Sequence, residues 1–215
     1  MGRQPKFVIF ASLLALLASC GTPSQKYAAS KSEGVYFTVP VSWHEITGAS
    51  LNAQEARSTA VGAAEKLALV KWQDAFSVDP KYGAKDVFSF KVTSQPVVFA
   101  RVRALFPDEV NAVSYNSLRN VIVPLTDWVN YPTKTTPAFN IIDDREIIDK
   151  GARGVRTIYS LTQSGEEQTV DQTALVSADR QKIYVFVVRC STVCYEKYKS
   201  AITKIADSFT VRGTR

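Results

Sequence analysis

Between Ile141 and Phe209 the chain passes through four extended runs and then one amphipathic helix, and this succession restricts the fold more than any other feature. Ile141 to Ile148 and Ala152 to Leu161 are rich in β-branched residues, and Gly165-Glu166-Glu167 supplies a turn before Thr169 to Val176 and Lys182 to Val188. Extended runs joined by connections this short become antiparallel neighbours, so the four predict a meander. Tyr195, Tyr198, Ile202, Ile205 and Phe209 then recur at spacings of three, four, three and four, the period of a helix with one apolar stripe. Such a stripe has to be buried against another layer, and the apolar face of the meander is the adjacent one.

Upstream, Val35 to Pro40 reads as a strand ended by its proline, and Val41 to Ile46 as a turn and a short extended piece. Asn52 with Glu55 three residues later has the form of a capping box, and Ala56, Ala60, Ala63, Leu67 and Val70 share a helical face, which predicts one helix ending near Trp72. The segment to Lys85 contains Pro80 and Gly83 and is expected to be a loop. Val87 to Val92 and Val97 to Leu105 read as two strands. In the second, Arg101 and Arg103 are two residues apart and must share a face, either as part of a solvated sheet surface or as an anion-binding patch. Pro107 and Asp108 open another helix, with Val110, Val113, Leu118, Val121 and Leu125 along one stripe, and a Thr/Pro-rich loop follows over 130–138. The pattern is α+β: an antiparallel sheet flanked by helices.

The first nineteen residues are of another kind. Arg3 and Lys6 precede an eleven-residue apolar run, Phe7 to Leu17. A transmembrane helix needs about 20 residues, whereas a charged start, a short apolar run and small residues before a cut make an export signal. The run ends in Leu17-Ala18-Ser19-Cys20, which resembles the bacterial lipobox. That resemblance implies cleavage before Cys20 and a diacylglycerol on its thiol, which places the mature protein on the extracytoplasmic side of a membrane in the cell envelope. Residues 21–34 are small and polar, and are expected to be a flexible linker holding the domain about 20 Å from the anchor. The organisation is then a signal peptide over 1–19, a lipidated cysteine and linker over 20–34, and a single domain over 35–215. The formal charge of +6 falls to +4 once Arg3 and Lys6 leave with the leader. The cations are mixed with acids rather than run together, and with export this argues against nucleic acid as a partner.

With Cys20 assigned to lipid, Cys190 and Cys194 remain. A structural disulfide between them is the expected state, with free thiols or part of a redox or metal site as alternatives. Thioredoxin-like redox pairs have Cys-x-x-Cys spacing, and zinc needs further ligands in a chain whose one histidine is His44, so no metal or cofactor is expected. No nucleophile elbow, phosphate-cradling glycine loop or zinc-protease helix is present. His44 follows Trp43 in the turn after the first strand and reads as part of a packed turn rather than as a base. Asp143, Asp144, Glu146 and Asp149 are the densest carboxylate group, and on a strand Asp144 and Glu146 share a face. They suit acid and base work in a cleft or, interrupted as they are by Arg145 and Lys150, a solvated strand. Trp128 and Tyr131 can line a ligand groove or cap the core.

The opening Phe37-Thr38-Val39-Pro40-Val41-Ser42-Trp43, the late strand-turn-strand pair and the closing Ile202-Thr203-Lys204-Ile205-Ala206-Asp207-Ser208-Phe209 resemble the PsbP-like family over residues 35–211. The resemblance implies an α-β-α sandwich and a non-enzymatic accessory or binding role, in a family with many exported bacterial lipoproteins. The resulting expectation is a membrane-anchored envelope lipoprotein that binds a partner protein or small ligand. A structural or assembly factor of an envelope complex and an envelope enzyme using carboxylates are the alternatives. Arg101, Arg103, Trp128 and Tyr131 are the candidate ligand or partner residues.

Overall fold

The structure is a computed structural model and describes residues 24–212, so the leader and Cys20 lie outside the described residues. Its centre is a seven-stranded antiparallel sheet in the order β3-β4-β5-β9-β8-β7-β6. The expected meander is its larger half: β6 (Phe139–Asp149), β7 (Ala152–Gln163), β8 (Glu166–Ser177) and β9 (Lys182–Ser191) pair with their neighbours in chain order. The last expected helix is α7 (Thr192–Ser208), which buries Tyr195, Ile202 and Ile205 as the spacing predicts.

One face of the large sheet carries α7 and a second, three-stranded sheet made of β1 (Gln25–Ser30), β2 (Val35–Pro40) and β10 (Thr210–Val211). Phe37 from β2, Phe186 from β9, Ile202 and Ile205 fill the layer between them. The other face carries short helices: α1 (Gly48–Glu55) and α3 (Ala84–Ser89) near one edge, α5 (Tyr115–Arg119) and α6 (Leu125–Asn130) toward the other. This is an antiparallel sheet between two helical layers, the α-β-α arrangement expected. Because both faces of β8 are covered, ten consecutive residues from Gln168 to Ser177 are buried, polar ones included. Burial of polar groups requires hydrogen bonds, and Gln172 meets the requirement by donating to the carbonyls of Leu118 and Arg119, which docks the end of α5 on the sheet.

Four expectations are corrected. Residues 25–30, read as linker, form β1 in register with β2, with Ala28 and Ser30 pointing into the core. Small side chains give almost no apolar period, so the strand has no local signature. The single helix over 52–72 is instead α1, then α2 (Ala63–Ala68), then β4 (Val70–Ser77). Thr47, not Asn52, caps α1 by accepting from the Ser50 amide, and Gly62 at φ +75° starts α2. Asn52 and Glu55 both accept from Gln73 of β4 at 2.7 and 2.9 Å, so the pair fastens helix to sheet. Val87 to Val92 is not a strand: α3 occupies 84–89, with Asp86 accepting from the Gly83 amide and Phe90 turning the chain at φ +56°. Finally, the helix after Pro107 is three pieces, α4 (Glu109–Ala112), α5 and α6, although all five residues of its expected stripe pack in one cluster.

In β4 Asp74 lies between Trp72 and Phe76 on the face that β1 covers, beside Glu45 of β3 (His44–Ile46) and Lys26. Burial, then the nearby Glu45 carboxylate, push the Asp74 carboxyl up to about 7. The folded protein thus holds this proton more tightly than the unfolded chain. The associated stability is fully present below the unfolded value near 3.8 and is lost as pH rises through about 7. With solvent screening allowed for, the change is on the order of 2 kcal/mol. Asp74→Asn is expected to flatten the decline of Tm between about pH 4 and pH 7; an unchanged decline would assign it elsewhere. Among the described residues no helix is long and apolar enough to cross a membrane.

Candidate functional site

A concave surface lies between the α5–α6 pair and the edge of the large sheet. Its walls are Asn116 and Arg119 of α5, Leu125, Thr126 and Val129 of α6, Ile141 and Asp144 of β6 and Thr157 of β7, and it encloses about 310 Å³. That volume is at the lower end for a small-molecule or peptide side-chain pocket. Asn120 fixes the turn into α6 by accepting from the backbone and hydroxyl of Thr126, both at 2.9 Å. The Gln172 bonds hold the end of α5 on β8, so both helical walls are pinned to rigid elements.

Arg119 and Asp144 meet at the floor. The guanidinium grips the carboxylate through Nε and Nη2 at 2.8–3.1 Å, and Thr157 donates its hydroxyl to the same carboxylate at 2.8 Å. Partial burial acts to raise the Asp144 pKa, but bonds from Arg119 and Thr157 outweigh it and hold the group below the usual carboxylate range. The bond to Asp144 raises Arg119 in turn. A carboxyl kept ionised in this way is a poor proton donor near neutral pH. Asp144 and Glu146 do share a face, pairing with Thr157 and Val155, but Asp144 is committed to Arg119. Two of the apolar wall residues reach solvent: Val129 is about half exposed and Ile141 is 41% exposed.

The sequence-derived candidates fall in three places. Trp128 of α6 packs on Phe139, ring centroids 5.6 Å apart, and closes the core, while Tyr131 at the end of α6 faces solvent. Arg101 and Arg103 of β5 (Val97–Ala104) share the helical face as expected, but they are across β9, β8 and β7 from the groove. The anions they face belong to the chain: Arg101 binds Glu55 at 2.6 Å and Gln73, and Arg103 makes a two-pronged bond to Glu109 at 2.7 and 2.8 Å. That bond lowers the Glu109 pKa. Cys190 and Cys194 form a disulfide with Cα atoms 5.9 Å apart, tying the end of β9 to the first turn of α7. His44 is exposed on the edge strand β3. Among the described residues no cluster of three or more His, Cys, Asp or Glu is placed to hold a metal ion.

Sequence reasoning missed Arg119, and it missed two buried arginines. Arg156 of β7 and Arg189 of β9 are each 4% exposed. A signal was present, since Arg189 continues the inward series Ile183, Val185, Val187 at a spacing of two, where a charge has to be satisfied internally.

No family model matches the chain, and neither does any curated protein. Among solved structures it is similar to the cyanobacterial PsbP protein CyanoP from Synechocystis sp. PCC 6803, at 13% identity over 91% of this chain and 99% of that one, with a TM-score of 0.49. It is also similar to LpqN of Mycobacterium tuberculosis, described as involved in cell envelope biogenesis, at 13% identity over 87% and 90% with a TM-score of 0.46. A third is the Ran-binding protein Mog1p of Saccharomyces cerevisiae, at 8% identity over 88% and 96% with a TM-score of 0.47.

Proposed function

We propose that this chain is an exported lipoprotein, anchored through lipid on Cys20 to the extracytoplasmic side of a bacterial membrane, whose domain binds a protein partner in the cell envelope without catalysing a reaction. The observation that carries the binding role is the groove of the α5–α6 face. It is a walled depression whose own lining includes the exposed apolar side chains Val129 and Ile141, and exposed apolar surface of this kind is where partners dock. The lipobox at Leu17-Ala18-Ser19-Cys20 supports the anchor. Two or more acyl chains hold a protein stably on a bilayer, so no further hydrophobic segment is needed.

Because β1 begins at Gln25, four residues separate it from Cys20, and the five Cα–Cα steps between them span at most about 18 Å. The maximum reach of this tether is about a third of the roughly 50 Å of a fourteen-residue linker, so the domain is held close to the bilayer. Catalysis through Asp144 and Glu146 is the weaker reading, since Arg119 holds Asp144 ionised.

Detergent phase partitioning followed by cross-linking in the native envelope tests both halves. Cys20→Ser is expected to move the protein from the detergent to the aqueous phase; unchanged partitioning refutes the anchor. Ile141→Lys is expected to stay in the detergent phase but lose its cross-linked partner, and a partner retained in full places the docking surface elsewhere.

A further inference from the structure

On the same face of the large sheet, nearer β5, a second depression of about 180 Å³ runs between α3 and the turn that follows α5. Its walls are aromatic and aliphatic, with Phe88, Phe90 and Phe99 around it and Ile122 at the lip. Its polar lining residues are two arginines, Arg101 and Arg189, and no carboxylate lines it. Phe88 and Phe99 meet edge to face at 6.0 Å, with the Arg101 guanidinium 5.6 and 5.2 Å from their ring centres. Phe90 covers the Arg189 guanidinium at 4.6 Å.

Arg189 is the unusual member. It is 4% exposed, and every hydrogen bond it makes is to a neutral acceptor. Nη1 donates to the Lys91 carbonyl and Gln168, and Nη2 to the Tyr82 hydroxyl and to the carbonyls of Asp86 and Val87. Buried charges are ordinarily matched by an opposite charge, whereas among the described residues Arg189 has no ion pair and the Asp86 carboxylate acts on it only at a distance. Nε of Arg189 and Nη1 of Arg101 make no hydrogen bond among the described residues, so each arginine lining the slot keeps a donor unspent.

We propose that this slot binds a small organic acid, a monocarboxylate with an apolar body, whose carboxylate takes up the positive charge of Arg189 and accepts from the unspent Nη1 of Arg101, and whose body lies among the three phenylalanines. Charge complementarity selects the anion, because Arg189 is buried without an ion-pair partner, while Arg101 is held by Glu55 and still offers Nη1 as a donor in an otherwise apolar depression. Size limits the body. The slot has room for about six waters' share of liquid, less than a drug-sized ligand requires. The site is separate from the α5–α6 groove and stands whether or not a protein docks there.

Phenylacetate serves as the probe, titrated into the uniformly ¹⁵N-labelled full chain and followed by amide chemical shifts. The expected result is saturable shifts confined to residues 87–90, 97–101, 121–122 and 187–189. Phenylacetamide, the same shape without charge, is expected to bind about tenfold more weakly, the loss of one charge-assisted hydrogen bond. Arg101→Gln should weaken phenylacetate by a similar factor. Ile122→Trp places a ring at the lip and should abolish the shifts while leaving the rest of the spectrum unchanged, which separates loss of the site from loss of the fold. Equal binding of acid and amide, shifts that persist in Ile122→Trp, or no saturation by about 1 mM, beyond the affinity of a specific small site, overturns the proposal.

Discussion

Arg156→Met is expected to lower the unfolding free energy by about 3–5 kcal/mol, the usual effect of removing one partner from a buried ion pair. Arg156 on β7 grips Asp171 on β8 with two bonds, Nε to Oδ1 at 2.7 Å and Nη2 to Oδ2 at 2.6 Å, and the two side chains are 5% and 0% exposed. Its third arm reaches Asp207 near the end of α7 at 2.5 Å, and the Tyr195 hydroxyl donates to Asp171 at 3.2 Å. Burial alone would lower the Arg156 pKa, but the bonds to Asp171 and Asp207 outweigh it and the net shift is upward. Without the guanidinium, Asp171 is left as a buried carboxylate with one hydroxyl donor.

The pair need not be favourable relative to an apolar replacement, so Arg156→Met with Asp171→Leu is expected to recover most of the loss. Asp207 is 57% exposed, and Asp207→Ala should cost no more than about 1 kcal/mol. Urea denaturation of the three variants decides the matter. A single-variant loss below about 1 kcal/mol would mean that water reaches Asp171.

Phe37→Ala is expected to cost a similar amount, about 3–5 kcal/mol, through the cavity it leaves. Phe37 is 1% exposed, and its ring meets those of Trp72, Phe76 and Phe186 at centroid separations of 6.4, 5.8 and 4.9 Å. It is the aromatic centre of the layer through which the three-stranded sheet sits on the seven-stranded one, with Ala28, Val35, Val39 and Val211 in the same cluster. Hydrogen exchange should therefore show the amides of β1, β2 and β10 opening before those of β8 and β9. Uniform loss of protection across both sheets would instead make the small sheet an inseparable part of one cooperative unit.

Legibility of the sequence followed from how locally each element is specified. Residues 139–208 were readable because each strand and the last helix carries its own apolar period and each connection is short. Residues 48–92 were not. An alanine-rich stretch with a capping-box spacing satisfies a helix template, yet Val70 to Ser77 also fits a sheet position, and pairing with β3 and β5 overrode the local preference. Val87 to Val92 went the opposite way: its β-branched and aromatic residues fit a strand, but Gly83 and Asp86 close a helical turn and Phe88 packs inward on Phe99.

The candidate residues divide in the same manner. The sequence shows that Arg101 and Arg103 share a face and that Asp144 and Glu146 share another, because a strand's period of two is local. It does not show that Glu55, Glu109 and Arg119 reach them, since those partners arrive from 6 to 46 residues away.

Sequence alone determined the antiparallel meander and the stripe of α7, and it alone carries the proposed export signal and lipobox at Cys20, all of which depend on residue type over short spacings. Tertiary structure alone decided that β1 joins the domain, that Arg156 and Arg189 lie buried, and that α5 and α6 wall a groove. Those outcomes depend on which surfaces meet, and burial couples residues far apart in the chain through free energies that no local pattern contains.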